Sequence, residues 1–154
     1  MSSPANEKPY RKPLIALVHE ADRTFNLHMV EMTHAAGRPE IKPSHNAVVA
    51  HLPSGMPRRA ADLAAAAGMT RQSMGELVRE LENLGLVEMV PDPDDRRAKL
   101  VSWTEAGLTM ARIGKRHLAV IEQRLEAEFG RDYESARMIL ERLAEVLDDI
   151  DPKA

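Results

Sequence analysis

The chain of 154 residues contains no cysteine and very few aromatic residues: two phenylalanines, two tyrosines and one tryptophan. The lack of cysteine excludes a disulfide framework, a thiolate metal site and a cysteine-based redox switch. No apolar run approaches the ~20 residues that a membrane-spanning helix needs. The N-terminus also lacks the pattern of a signal peptide. We therefore expect a cytoplasmic protein that contacts no membrane.

The sequence also lacks the common signatures of catalysis. It shows no acid–base pair, nucleophile elbow or phosphate-binding loop, so we expect neither an enzyme nor a cofactor. His28, Glu31 and His34 are spaced by three on one predicted helix and could share a metal ion. The His-Glu-x-x-His pattern is absent, and we expect no metal site. The acidic cluster at 92–95 likewise lacks the glycine and terminal glutamate of a calcium-binding hand.

The centre of the chain has the pattern of two short helices joined by a tight turn. Small residues over 60–67 end at Gly68, which can adopt the left-handed conformation that a tight turn needs. Thr70 can cap a second helix over 71–84. Apolar residues recur at helical spacing along that helix and predict its buried face. They are Met74, Leu77, Val78, Leu81 and Leu84.

A β-hairpin is predicted after this second helix. Two β-prone runs, 87–90 and 98–103, flank a polar loop at 91–97 that contains Pro91 and Pro93. Two helices followed by a hairpin make a winged helix–turn–helix. Its second helix lies in the DNA major groove, and arginines at the hairpin can enter the minor groove. We predict nine DNA-binding residues: Thr70, Arg71, Gln72, Ser73, Gly75, Arg79, Arg96, Arg97 and Lys99.

The residues of the predicted reading helix suggest different contacts with DNA. Arg71 can bond guanine and Gln72 can bond adenine. Gly75 lowers helix stability by about 1 kcal/mol relative to alanine, and it either admits the DNA backbone, packs closely or is simply tolerated. Glu76 repels phosphate and could accept a hydrogen bond only from cytosine. The net charge of −3 also gives little general attraction to DNA.

Long amphipathic helices are predicted on both sides of this lobe. One covers 13–36, and two more cover 105–150 with Thr104 and Asp132 as caps and Gly130 between them. Their apolar stripes would stay exposed in so short a chain. Packing against a second copy through an isologous interface would cover them. We therefore expect 13–36 and 105–150 to be dimerisation helices.

The remaining pieces complete a winged lobe over 44–103. A helix is predicted from Ser44 to about Leu52, and Met56 is expected in a short strand beside the hairpin. A length of 154 residues favours a single domain, 1–154, although two lobes sharing one core are equally compatible with it.

Three blocks of the sequence resemble the MarR-type transcriptional regulators. They are LAAAAGMTRQS at 63–73, LENLGLVE at 81–88, and DPDDRRAKLV at 92–101 running into TEAG at 104–107. The resemblance implies a mainly α fold with a small β-wing. In that fold the first and last helices form the dimer and winged helix–turn–helix domains hang beneath them.

The resemblance also implies a function. It is that of a homodimeric regulator, a repressor, that binds double-stranded DNA at a pseudo-palindromic operator. A small phenolic or lipophilic effector would release it. We predict an effector pocket at Phe25, Met29, Met32, His45 and Met110.

Two alternatives stay open at this stage. A winged domain that docks proteins instead of DNA would agree with the acidic balance and with Glu76. A metal-responsive repressor would use His28, Glu31 and His34.

Overall fold

A computed structural model describes residues 11–95 and 97–151. Within them it contains six α-helices and one two-stranded sheet, which confirms the predicted mainly α fold with a small β-wing. The elements are α1 (Leu14–Ala35), a 3₁₀ turn (Pro43–His45), α2 (Asn46–Val49), α3 (Ala60–Ala66), α4 (Arg71–Asn83), β1 (Val87–Pro91), β2 (Lys99–Trp103), α5 (Glu105–Phe129) and α6 (Arg131–Asp148).

The chain divides into two compact units within α5, Met1–Met110 and Ala111–Ala154. The single domain expected over 1–154 stays a prediction. Over residues 11–95 and 97–151, each helix is too short or too polar to cross a lipid bilayer.

The core of the first unit lies between the helices and the sheet. The indole Nε1–H of Trp103 donates to the Leu52 carbonyl at 2.9 Å, so the polar atom of this buried ring has a partner. In the same unit, the largest side chains with almost no exposure come from the 3₁₀ turn, α2, α3, α4, the turn before β1 and both strands. They are Leu63, Met74, Leu81, Leu86, His45, Val48, Val87 and Val101.

A tight turn joins α3 to α4 as the sequence predicts. Gly68 has a φ of +64°, in the left-handed region where a residue without Cβ is favoured. The Met69 N–H donates to the Ala64 carbonyl at 2.9 Å and closes the end of α3. Leu63 and Ala64 are buried, so the small residues of α3 let it pack against α4.

The hairpin pairs β1 with β2 in antiparallel register, from Val87 opposite Trp103 to Pro91 opposite Lys99. The prediction that Met56 joins this hairpin is wrong. Arg58 does so instead, because it exchanges two backbone hydrogen bonds with Val101, at 3.0 and 2.7 Å.

The start of α5 is tied to the turn that precedes β1. Thr104 Oγ1 accepts from the Gly107 N–H at 3.1 Å, which confirms the predicted cap, and donates to the Gly85 carbonyl at 2.6 Å. A Cβ on Gly107 would collide with the Leu86 carbonyl oxygen and approach Trp103 Cε3 to 2.7 Å. Only glycine fits at this position.

Two helix starts differ from their predictions. The segment predicted as a helix from Ser44 begins as a 3₁₀ turn, and α2 covers only Asn46–Val49, although the Leu52 N–H still bonds the Val48 carbonyl at 2.9 Å. The residue that precedes α6 is Gly130, not Asp132. Gly130 has a φ of +51°, and because α6 begins at Arg131, Asp132 lies inside its first turn.

In the second unit, α6 has no buried residue, and the apolar side chains on one side of it are about half exposed. Met138, Ile139, Arg142, Leu143 and Val146 line a shallow apolar groove along this side. Leu147 and Ile150, 56% and 57% exposed, extend it.

Candidate nucleic-acid interface

Burial fixes which side of α4 faces the solvent. Met74, Leu77, Val78 and Leu81 are all buried, as the sequence predicts, and they recur at helical spacing. The rotation of α4 about its own axis is therefore determined by its packing against the core.

Thr70 caps α4 and engages Ser73. Its Oγ1 accepts from the Ser73 N–H at 3.1 Å, which confirms the predicted cap, and donates to Ser73 Oγ at 2.9 Å. Such a cap contributes about 1 kcal/mol to helix stability. The Thr70 hydroxyl proton is thus engaged, whereas the Ser73 hydroxyl proton is left for an external acceptor. DNA contact by either residue stays a prediction.

The side of α4 opposite the core carries an exposed polar row. At about 100° per residue, Gln72, Glu76 and Arg79 fall within one narrow sector of the helix surface, and all three are exposed. Gln72 Nε2 donates to Glu76 Oε1 at 3.4 Å. Arg71 is exposed at the flank of the same end. The predicted contacts on α4 are thus accessible together on one surface.

Gly75 borders this polar row. A Cβ at this position would meet nothing within 4 Å. Close packing within the described chain therefore does not explain the glycine. Close approach of DNA and simple tolerance remain as explanations.

The wing presents two of the three predicted cations. Arg97 and Lys99 are exposed, whereas Arg96 lies outside the described residues. The Arg97 N–H donates to Asp95 Oδ1 at 3.0 Å, and the Ala98 N–H donates to the Asp95 carbonyl at 2.9 Å. Asp95 therefore shapes the loop that carries Arg97.

The exposed cations near this surface are not neutralised by the protein. Within residues 11–95 and 97–151, no ion pair is formed by Arg71, Arg79, Arg97 or Lys99. Their charges remain available to an anionic partner.

Arg59 binds Asp92 at the base of the wing. Its Nε and Nη2 donate to Asp92 Oδ2 at 2.9 and 2.6 Å, and Asp95 Oδ2 lies 3.7 Å from Nη2. The Asp94 N–H donates to Asp92 Oδ1 at 2.9 Å. These two interactions, the Asp94 N–H first and Arg59 second, lower the pKa of Asp92. The buried carboxylate anchors the hairpin to the start of α3.

Glu80 on α4 is hydrogen-bonded to His45 and Lys42, at the 3₁₀ turn. His45 is 1% exposed, and its Nδ1 accepts from the Lys42 N–H at 3.2 Å. Its Nε2 therefore carries the proton and donates to Glu80 Oε2, 3.0 Å away. Lys42 Nζ also donates to Glu80 Oε2, at 2.8 Å. Hydrogen bonds from Lys42 and then His45 lower the pKa of Glu80.

The predicted effector residues differ in accessibility. Phe25 is exposed, Met29 and Met32 are half-buried, and Met110 is buried. Both ring nitrogens of His45 are engaged within the protein, which leaves neither for an effector in this conformation. An open hollow of about 550 Å³ elsewhere in this unit is lined by Arg38, Gly85, Thr104, Glu105, Ala106 and Thr109. The effector pocket stays a prediction.

The three residues considered for a metal do not converge. His34 Nε2 donates to the Ile41 carbonyl at 2.6 Å, while His28 Nδ1 and Glu31 Oε2 are 4.0 Å apart. In the described part of the chain, no group of three histidine or acidic residues could hold a metal ion.

Sequence reasoning missed two residues that shape this surface, Asp92 as the partner of Arg59 and Glu80 as the partner of His45. The pairs are 33 and 35 residues apart. Neither pair has a short-range pattern. The sequence offers only a general expectation, which is that a buried acidic or basic side chain requires a partner of opposite charge or a hydrogen bond.

Known proteins with the same architecture can now be compared. The MarR family model matches residues 47–98, which cover the helix–turn–helix and most of the hairpin. A comparison with curated protein sequences finds no match.

Three solved structures illustrate the likeness in fold. A MarR family transcription regulator is 18% identical, with a TM-score of 0.71 over 88% of this chain and 91% of that one. Wild-type MarR from E. coli in its apo form is 17% identical, with a TM-score of 0.70 over 87% and 98%. The Multiple Antibiotic Resistance Repressor, MarR, is 18% identical, with a TM-score of 0.63 over 85% and 96%.

At these identities the structural likeness establishes the fold, while the sequence match establishes the winged helix itself. The chain is thus similar in sequence to the MarR family over residues 47–98, and its fold is that of solved MarR family transcription regulators.

Proposed function

We propose that this chain binds specific DNA sequences as a homodimer, at a pseudo-palindromic operator, and represses transcription until a small phenolic or lipophilic effector releases it. The observation that carries this proposal is the exposed polar row of α4, together with Arg71 and Arg79, which form no ion pair within the described part of the chain. A helix that is anchored by its apolar face and capped at Thr70 offers rigid side chains to the major groove.

The chemistry of α4 suits base reading near its N-terminus. Gln72 is exposed in the first turn and can bond adenine, and Arg71 can bond guanine or phosphate. Arg79 lies two turns further along the same surface. Contacts of this kind distinguish one base from another and so supply specificity. General electrostatic attraction would not, and a net charge of −3 provides little of it.

The wing supplies a second point of contact. Arg97 and Lys99 are exposed and form no ion pair with residues 11–95 and 97–151, and the Arg59–Asp92 link fixes the base of the hairpin. A guanidinium held in this way can enter a narrow minor groove, where the negative potential is strongest. We propose the same role for Arg96, which lies outside the described residues.

The homodimer is supported by apolar surface at both ends of the chain. Leu14, Ile15 and Leu17 on α1 are 47–61% exposed, and the α6 groove adds Leu143 and its neighbours. Such surface is expected to be covered in solution. A second copy covers it with the same residues and creates the two-fold symmetry that a pseudo-palindrome needs.

Repression and effector release are the finer parts of the proposal. One similar structure is a repressor by name. Half-buried Met29 and Met32 on α1, near exposed Phe25, offer adaptable apolar surface for a lipophilic ligand.

A second candidate is a winged domain that docks a protein. Glu76 favours it, since an exposed carboxylate on the outward surface of α4 repels phosphate. The acidic balance of the chain points the same way.

In vitro selection from a random duplex library tests the two candidates. The regulator predicts enrichment of a pseudo-palindromic sequence, followed by salt-sensitive binding of that sequence in fluorescence anisotropy. Its affinity should exceed that for random DNA by at least about 10³-fold. No enrichment, and no salt-sensitive binding below micromolar concentration, would favour the docking module.

A further inference from the structure

Glu76 stands at the centre of the outward surface of α4. It lies one turn from Gln72 and almost one turn from Arg79, about 150° around the helix from the centre of the Met74–Leu81 face. A helix that enters the major groove with its exposed side foremost brings this carboxylate to the edges of the bases.

In the part of the chain that the structure describes, Glu76 has no basic partner. Within residues 11–95 and 97–151, the one side-chain hydrogen bond of Glu76 comes from Gln72 Nε2, at 3.4 Å, and no ion pair involves it. Other acids of this lobe have basic partners: Asp92 pairs with Arg59, and Glu80 pairs with Lys42. Among the described residues, Glu76 is therefore a negative charge without a basic partner on the outward side of α4.

The four bases differ in whether their major-groove edges can donate a hydrogen bond to a carboxylate. An ionised carboxylate can only accept hydrogen bonds. Guanine presents two acceptors in the major groove, thymine an acceptor and a methyl group, and adenine an acceptor beside its amino group. Cytosine alone presents a donor without an acceptor beside it. The carboxylate thus meets an acceptor on every base except cytosine.

We propose that Glu76 is a specificity-determining residue that selects cytosine at one position of each half-site, by accepting a hydrogen bond from the N4 amino group. The proposal rests on the DNA-binding function proposed above. Gln72 positions the carboxylate through its amide nitrogen, and this leaves the Gln72 oxygen as a second acceptor toward the same base step.

The charge of Glu76 lowers affinity in general while it raises discrimination. Phosphates repel the carboxylate on any sequence, so it weakens non-specific binding. Opposite a wrong base the carboxylate is buried against an acceptor and receives no hydrogen bond from the DNA, and such a contact is strongly unfavourable. Removal of the carboxylate should therefore strengthen binding to random DNA and relax the selection of one base pair.

The test compares Glu76→Ala with wild type and with Glu82→Ala. Glu82 is exposed on the same helix, about 120° around it from Glu76, and removal of its carboxylate changes the net charge equally. In vitro selection for each protein is followed by affinities for four duplexes that differ in one base pair per half-site.

Wild type should prefer cytosine at one position by about 5-fold to 150-fold. Glu76→Ala should lose that preference, keep the others and bind random DNA at least as tightly. Glu82→Ala should keep every preference. If Glu76→Ala selects the same sequence as wild type at every position, the inference is overturned while the DNA-binding function stands. If wild type selects no sequence, the DNA-binding function falls, and the inference falls with it.

Discussion

Arg59 Nη2 lies 2.6 Å from Asp92 Oδ2, across 33 residues of sequence. Arg59 is the residue before α3, and Asp92 directly follows β1, so this ion pair joins the start of the helix–turn–helix to the base of the wing. Asp92 is only 7% exposed, and its other oxygen accepts the Asp94 N–H. The wing is therefore anchored to the lobe that carries α4.

Asp92→Asn should loosen the wing without unfolding the lobe. Asparagine still accepts the Asp94 N–H through its oxygen, but it loses the charge that binds Arg59. We expect faster hydrogen exchange at the Ala98 amide, which donates within the loop, and weaker binding to all DNA sequences. Asp94→Asn is the matched control, because its exposed carboxylate does not contact Arg59. Equal exchange in both variants would contradict the anchoring role.

The same ion pair should respond to acid in wild type. The pKa of Asp92 is lowered in the folded protein from its ordinary value of 3.8. The stabilisation is therefore complete above pH 3.8 and is lost as the pH falls through the lower folded pKa. Protection of the Ala98 amide, measured as its exchange rate relative to the intrinsic rate at each pH, should fall over that range in wild type more than in Asp92→Asn.

Gly107→Ala should destabilise the first unit. The new Cβ would collide with a backbone carbonyl oxygen at Leu86, which cannot rotate away as a flexible side chain could. We expect the free energy of unfolding to fall by about 1–3 kcal/mol or more. Urea denaturation should show a lower midpoint with an unchanged slope. Wild-type stability in this variant would show that α5 does not approach Leu86 so closely.

Gly75→Ala should have the opposite effect on stability. The Cβ has open space around it, and alanine is the better helix former, so the free energy of unfolding should rise by up to about 1 kcal/mol. If the DNA backbone approaches α4 here, affinity for the selected operator should fall in the same variant. A more stable protein with unchanged affinity would make Gly75 a tolerated residue and remove it from the interface.

Much of the lobe could be predicted because its signals are local. Gly68 marks the end of α3, Thr70 the start of α4, and the apolar spacing from Met74 to Leu81 marks its inner face. Each of these signals acts within a few residues, and the structure confirms each one.

The remaining features depend on residues that are distant in the sequence. Arg59 is one of several arginines near the predicted contact elements, and only the fold shows that Asp92 engages it. Gly107 is unremarkable in a helical sequence until Leu86 is brought against it. The segment before α3 pairs with β2 at Arg58 and not at Met56, because Arg58 is the residue that the fold places opposite Val101.

Leu143→Lys together with Leu147→Lys should produce a monomer. Both side chains belong to the apolar side of α6 that the proposed dimer covers, and charge cannot be buried there without a partner. Sedimentation at micromolar concentration should show a dimer for wild type. Asp148→Lys, on the opposite side of α6, is the control and should remain dimeric. A wild-type monomer would contradict the proposed assembly.

The claim that α4 reads DNA is tested most directly by the ratio of operator affinity to random-DNA affinity at one fixed salt concentration. Gln72 is exposed and opposite the core, so Gln72→Ala should change folding stability by no more than about 0.5 kcal/mol. For Gln72→Ala we predict a loss of about 1–3 kcal/mol in the free energy of binding to the operator and little change with random DNA. Arg71→Ala should weaken binding to the operator and to random DNA more evenly. A ratio near unity for wild type and both variants would contradict the account.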